Sequence, residues 1–126
     1  TKCLLEGVLH TLKNSGVHSN NIVVQYVPGS FELIFGAKKL QTTAVDAVIA
    51  VGCIIQGETK HFDYVCQGVT QGIKDLNILY DTPVIFCVLT DNNLQQSLDR
   101  SGGKYGNKGV EAAVTALKMV ALKKSL

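Results

Sequence analysis

Two uninterrupted apolar runs constrain the fold of this chain most strongly. They span residues 47–55 (AVIAVGCII) and 83–89 (PVIFCVL), and neither run alternates apolar with polar residues. Strands that are covered on both faces have this composition, as in parallel sheets. Both runs are shorter than the roughly 18 apolar residues that a membrane span needs. They therefore predict two buried strands.

Further elements follow from periodicity and turn residues. Four helices are predicted, over residues 2–14, 31–41, 61–79 and 107–123, and apolar residues recur at helical spacing in the first and the last of them. Ser30 is the predicted N-cap of the second helix, and Asp91 is the predicted cap of a short helix through Leu94 and Leu98. Residues 22–27 (IVVQYV) predict a third strand, and residues 101–106 predict a glycine-rich loop. This alternation of strands and helices favours an α/β fold with a parallel sheet and helices on both faces.

Composition limits the functional classes. The 126 residues are 46% hydrophobic and 17% charged, which suits a single domain over residues 1–126 with a real core. A net charge of +2, without a run of five basic residues, argues against a nucleic-acid partner, and no segment argues for a membrane. The four cysteines lack C-x-x-C spacing, which argues against a metal site and favours buried free thiols in a reducing cytosol.

The start of the chain carries an expectation of its own. Thr1 is not a methionine, and the helical pattern is already under way at the next residues. A parallel sheet preceded only by a helix looks incomplete, so we expect a further strand before Thr1.

Candidate chemistry lies where predicted strands end, because ligands of open parallel sheets bind beyond the carboxyl ends of the strands. His61 follows the first buried strand and a glycine turn. A histidine can accept and donate protons near neutral pH, so His61 is a candidate acid–base group. The alternative is an ordinary surface histidine at the start of a helix.

An anion site is the second candidate. Glu58 and Thr59 lie at a helix entrance, where first-turn amides bind anions well, and Arg100, Lys104 and Lys108 supply cations. An ordinary helix cap and a solvated loop are the alternatives. Phe31 and Phe86 are candidate aromatic contacts, although core packing is the commoner role of phenylalanine. These residues alone identify no substrate.

Four segments together resemble lumazine synthase, an enzyme family of riboflavin biosynthesis. They are residues 27–33 (VPGSFEL), 47–64 (AVIAVGCIIQGETKHFDY), 83–90 (PVIFCVLT) and 99–111 (DRSGGKYGNKGVE). The resemblance implies a three-layer flavodoxin-like fold in the cytoplasm. It also implies condensation of 5-amino-6-ribitylaminouracil with 3,4-dihydroxy-2-butanone 4-phosphate, which gives 6,7-dimethyl-8-ribityllumazine, phosphate and water without a cofactor or metal. The implied partners are copies of the same chain, in a pentamer or a multiple of pentamers, and riboflavin synthase.

The same resemblance assigns roles to individual residues. His61 matches the family's proton donor and acceptor, Glu58 and Thr59 match the turn that holds the butanone phosphate, and Arg100 matches the phosphate-binding arginine. The remaining matches concern the ribitylaminouracil pocket, and they are Ser30, Phe31, Glu32, Cys53, Ile54, Ile55, Phe86 and Lys108. Of these, Glu32 would bind ribityl hydroxyls, and residues 53–55 would meet the pyrimidine through main-chain groups. The family places this pocket between subunits, so Phe86, Arg100 and Lys108 would serve the neighbouring chain's His61.

Two alternatives stay open at this point. An archaeal-type riboflavin synthase would convert lumazine instead of making it, and a shell-forming or ligand-binding relative would have no catalysis. One departure also matters, because the family opens with a strand whose aromatic residue stacks on the pyrimidine, and this chain begins after it. Gln56 stands where many members have arginine, which removes a positive charge near the phosphate.

Overall fold

The computed structural model describes residues 1–104 and 106–126. Its helices are α1 (Lys2–Asn14), α2 (Leu33–Gln41), α3 (His61–Leu79), α4 (Leu94–Arg100) and α5 (Lys108–Ser125). Its strands are β1 (Val48–Ile55), β2 (Val84–Asp91), β3 (Ser101–Gly103) and β4 (Gly106–Asn107), and 3₁₀ turns occupy Ser19–Asn21 and Ser30–Glu32. None of the helices formed by these described residues is long and apolar enough to span a bilayer.

The two apolar runs form a parallel pair, as predicted. β1 and β2 run side by side from Val48 opposite Val84 to Ile55 opposite Asp91. The pairing continues one residue past β1, where the Gln56 N–H donates to the Asp91 carbonyl at 2.9 Å. Their carboxyl ends therefore lie next to each other at one edge of the molecule.

Helices cover both faces of this sheet. On one face, residues of α2 and α3 such as Ala37, Val69 and Ile73 pack against Val48 and Val88 in a buried cluster. On the other face, two alanines of α5 pack against Ile85 and Cys87, and α1 packs on α5. The prediction of a three-layer α/β fold of the flavodoxin-like kind is confirmed.

Residues 22–27 do not form the predicted strand. The backbone is extended at Ile22, but the segment makes no ladder with β1 or β2 in the part of the chain that the structure describes. Val27 instead contacts α2, where a Cβ on Gly36 would lie 2.9 Å from its Cγ1, and Tyr26 is 82% exposed. A β-rich composition favours extended backbone, but a strand also needs a hydrogen-bonding neighbour.

Both predicted side-chain caps were wrong. Ser30 lies inside a 3₁₀ turn and donates to the Cys53 carbonyl at 3.5 Å, so it does not cap α2. Asn93 caps α4 by accepting from the Gln96 N–H, whereas Asp91 is the last residue of β2. The side chains of Ser30 and Asp91 interact with tertiary partners that the local sequence does not reveal.

The predicted loop at 101–106 contains paired strands. β3 and β4 form a short antiparallel pair with an irregular register, in which Gly102 and Gly106 have φ values of 113° and 80°. Such positive values favour glycine because it has no Cβ, which explains the composition of this segment. Tyr105, which belonged to the predicted loop, lies outside the described residues.

The cysteines are free, but the expectation that they are buried holds for one of them. Cys87 is buried, Cys53 and Cys66 are half-buried, and Cys3 is exposed on α1. Burial, together with a smaller effect of the Glu111 charge and against the opposing effect of Lys108, raises the pKa of the Cys87 thiol from 9.0 to about 11. Cys87 is therefore an uncharged core residue at neutral pH.

Candidate functional site

A polar turn follows the carboxyl end of β1. Residues 56–61 are all exposed, and the His61 N–H donates to the Thr59 hydroxyl at 3.3 Å. This bond fixes the turn that enters α3, a helix of 19 residues. The N-terminus of a helix carries partial positive charge, so Glu58 and Thr59 lie where an anion is favoured, and His61 is the first residue of the helix.

The 3₁₀ turn at Ser30–Glu32 lies beside the same end of the sheet. The Phe31 ring lies against α3, where a Cβ on Gly68 would be 3.1 Å from the ring atom Cε2. Phe31 is still 55% exposed, so it is not the plain core residue of the alternative interpretation. One side of the ring contacts α3, and exposed ring surface remains for a flat ligand to stack on.

The end of β1 contributes both core and surface. Ile54 packs against the buried cluster under α2 and α3, while Ile55 is 40% exposed. The Cys53 carbonyl accepts from Ser30, which ties the 3₁₀ turn to β1. We call the residues at this end the β1-end cluster, which comprises Ser30, Phe31, Glu32, Cys53, Ile54, Ile55, Glu58, Thr59 and His61.

A second group of predicted site residues lines a cleft along the outer edge of β2. This cleft has a volume of about 650 Å³, and Phe86, Thr90, Arg100, Lys108 and Glu111 are among its lining residues. Phe86 is 42% exposed although it lies within a strand. We call it the β2-edge cleft. Its described lining includes no member of the β1-end cluster.

Each cation of the β2-edge cleft has a carboxylate within its own chain. The Arg100 guanidinium lies 3.7 Å from Asp91 Oδ1 and donates to the Gln96 carbonyl at 3.1 Å. Lys108 Nζ lies 3.3 Å from Glu111 Oε1, in a pair that is exposed on both sides. The sequence analysis did not identify Asp91 as the carboxylate partner of Arg100, although its place at the end of a buried strand indicated that it lies near the candidate site.

Asp91 is itself held by a buried network. It is 8% exposed, and its Oδ2 accepts from the buried Ser97 hydroxyl at 3.0 Å. The Ser97 oxygen also lies 3.2 Å from the Cys53 thiol sulfur. A buried carboxylate is costly unless it is paired and hydrogen-bonded, and here Ser97 and Arg100 supply both partners.

Asn107 places Lys108 at the start of α5. Its side-chain oxygen accepts from the N–H groups of Gly109 and Val110, and its side-chain nitrogen donates to the Cys3 carbonyl of α1 at 2.9 Å. A Cβ on Gly109 would overlap the Leu4 carbonyl, so only glycine permits this approach of α1. The Asn107 cap and the close contact between Gly109 and α1 together fix the position of Lys108, the first residue of α5.

Metal chemistry has no ligand set in the described part of the chain. Residues 1–104 and 106–126 contain no group of three histidine, cysteine or acidic side chains placed to hold an ion.

Comparison with known proteins decides the family. A family model described as 6,7-dimethyl-8-ribityllumazine synthase matches residues 1–124. The chain belongs to this family. Proteins of the same name from Flavobacterium johnsoniae, Parabacteroides distasonis and Christiangramia forsetii are 66%, 63% and 61% identical to it, over 94%, 95% and 98% of this chain. The resemblance found in the four sequence segments is confirmed.

The matched region is a part of each lumazine synthase relative. The alignments cover 63% of the Flavobacterium johnsoniae protein, 76% of the Parabacteroides distasonis protein and 75% of the Christiangramia forsetii protein. Family membership therefore rests on nearly the whole of this chain and on about two thirds to three quarters of these relatives.

Proposed function

We propose that this protein is a lumazine synthase that condenses 5-amino-6-ribitylaminouracil with 3,4-dihydroxy-2-butanone 4-phosphate. The observation that carries the proposal is the exposed His61, which is the first residue of α3 and follows the Glu58-Thr59 turn after the carboxyl end of β1. This arrangement sets an acid–base group beside a favoured anion position. Both features suit a reaction in which an amine condenses with a ketone and phosphate leaves.

In this proposal the β1-end cluster binds most of both substrates. The Glu58-Thr59 turn holds the phosphate through backbone amides, and His61 moves protons during Schiff-base formation and phosphate loss. Ser30 and Phe31 contact the ribitylaminouracil, main-chain groups of residues 53–55 meet the pyrimidine, and Glu32 accepts from ribityl hydroxyls. No organic cofactor or metal is required, because acid–base catalysis and phosphate departure supply the chemistry.

The β2-edge cleft would complete the site of a neighbouring copy of the chain. Support comes from the described lining of this cleft, which includes Phe86, Arg100 and Lys108 but no member of the β1-end cluster. The assembly would be a homo-oligomer, either a pentamer or a multiple of pentamers up to a closed shell. The folded unit would be one domain over residues 1–126, and the protein would be located in the cytoplasm. Riboflavin synthase would be the enzyme that consumes the product.

The test is formation of the fluorescent lumazine from the two substrates by the intact protein. His61→Ala should lower kcat, by about 10²- to 10⁴-fold if it acts as a general acid–base group. Arg100→Ala should raise the KM for the butanone phosphate, because a charge-assisted contact to the phosphate is lost.

His10→Ala is the matched control for the histidine variant. His10 is exposed on α1 and hydrogen bonds with Asn14, so its removal should leave the rate unchanged. Failure of the intact protein to bind either substrate would overturn the proposal. Riboflavin formation from lumazine alone would point instead to the riboflavin synthase alternative.

A further inference from the structure

We infer that Asp91 is an internal counter-ion that competes with the substrate phosphate for Arg100 and so assists release of inorganic phosphate. This inference rests on the proposed role of Arg100 in phosphate binding. The juxtaposition that carries it is a buried carboxylate at the end of β2, 3.7 Å from the guanidinium that lines the β2-edge cleft.

The carboxylate is fixed, whereas the cation reaches solvent. The Asp91 side chain is 10% exposed and is anchored by the Ser97 hydroxyl at 3.0 Å, and the Arg100 side chain is 33% exposed. Asp91 is therefore held in place beside Arg100 whether or not an anion is bound. An incoming phosphate must share the guanidinium with a negative charge that does not leave.

This arrangement lowers phosphate affinity for an electrostatic reason. A carboxylate beside a cation cancels part of the attraction that the cation exerts on a second anion, and the effect is larger where water is excluded. Arg100 is partly solvated, so we take the contribution of the pair near the upper end for exposed ion pairs. That corresponds to about a fivefold change in affinity, which is about 1 kcal/mol.

The consequence concerns the end of the catalytic cycle. When phosphate leaves, Arg100 regains full interaction with Asp91, which offsets the cost of losing the phosphate. A cation without a built-in partner would hold the product more tightly. Asp91 thus tunes the Arg100 site for turnover, not for maximum affinity.

The experiment measures inorganic phosphate binding to the intact protein by calorimetry. Asp91→Asn keeps the shape of the side chain and an acceptor for Ser97 but removes the charge, so the dissociation constant should fall about fivefold. Asp91→Ser is a second neutral variant and should shift in the same direction. Inhibition of the lumazine reaction by added phosphate should strengthen in parallel.

Asp99→Asn is the matched control. Asp99 precedes Arg100 in α4 but accepts from the Gln95 side chain at 2.8 Å. The Asp99→Asn substitution removes the same net charge but not the carboxylate that pairs with Arg100, so it should change the dissociation constant by less than twofold. Equal tightening by Asp99→Asn, or unchanged or weaker binding by both Asp91 variants, would overturn the inference.

Arg100→Ala separates this inference from the proposed function. If Arg100→Ala weakens phosphate binding while the Asp91 variants do not tighten it, only the counter-ion role fails. If Arg100→Ala binds phosphate as the wild type does, the phosphate role of Arg100 fails, and the counter-ion role fails with it.

Discussion

Two glycines on one face of α3 allow the site and the core to be perturbed separately. Gly68 faces Phe31, and Gly72, one turn later, faces Ile34 of α2. We expect Gly68→Ala to stabilise the protein and Gly72→Ala to destabilise it. Both changes occur in the same helix, and both gain about 0.8–1.0 kcal/mol in helix propensity. Their difference therefore isolates the contact that each new methyl group makes.

The contacts differ in how far the neighbour can yield. At Gly68, a new Cβ would lie 3.1 Å from Phe31 Cε2, and Phe31 is 55% exposed, so a shift of the ring by a few tenths of an ångström costs little. At Gly72, three carbon atoms of Ile34 would lie too close, and Ile34 packs against the buried cluster. Overpacking of this kind costs about 1–3 kcal/mol. The two variants should differ in free energy of unfolding by that amount.

Thermal unfolding measures this difference. At this chain length 1 kcal/mol corresponds to about 3–5 °C in Tm, so the two variants should be separated by several degrees. Protein concentration must be equal in all samples, because association changes the apparent stability. A Gly72→Ala variant as stable as Gly68→Ala would refute the packing argument. In the proposed enzyme, Gly68→Ala should also raise the KM for ribitylaminouracil, because it displaces the Phe31 ring.

Two further predictions concern the Cys87 thiol and the Asn77 amide. Raising the pH from 9 to 11 should lower the free energy of unfolding, because the pKa of the Cys87 thiol is 9.0 in the unfolded chain and about 11 in the folded protein. The contribution of the protonated thiol to stability is complete below pH 9 and is lost as the pH rises through 11. The loss should be about 2 kcal/mol between pH 8 and pH 11, measured by urea unfolding, and it should be absent in Cys87→Ala. Equal losses in both proteins would contradict the assignment of this pH dependence to Cys87. Asn77→Ala should cost about 1–3 kcal/mol, because the Asn77 amide pairs with both the N–H and the carbonyl of Val84 at 2.8 and 3.0 Å on the outer edge of β2. Asn14→Ala, at the exposed end of α1, is its control in the same unfolding assay, and equal effects of the two substitutions would argue against the backbone role.

The candidate site was predictable in its position and only partly in its contacts. Parallel strands end at the same edge of a sheet, so the order of elements was enough to bring Glu58, Thr59 and His61 to the carboxyl end of β1. The partners of Asp91 and Ser30 were not predictable, because they come from residues that are distant in sequence or on another element. Cap statistics describe the local chain, and a nearby tertiary acceptor or donor can outweigh them.

The sequence by itself determined the elements whose signal is local and repeated. The apolar runs predicted β1 and β2, since a strand that is covered on both faces buries successive side chains. The helical spacing predicted α1 and α5, since the apolar side chains of each helix lie on one face. The tertiary structure decided the rest. Residues 22–27 have the composition of a strand but no ladder partner among the described residues. Whether Phe31 and Phe86 are buried or exposed also depends on which elements pack beside them. The Asp91–Arg100 pair likewise exists only because α4 returns over the end of β2, and a contact of that kind depends on the placement of whole elements rather than on any local pattern.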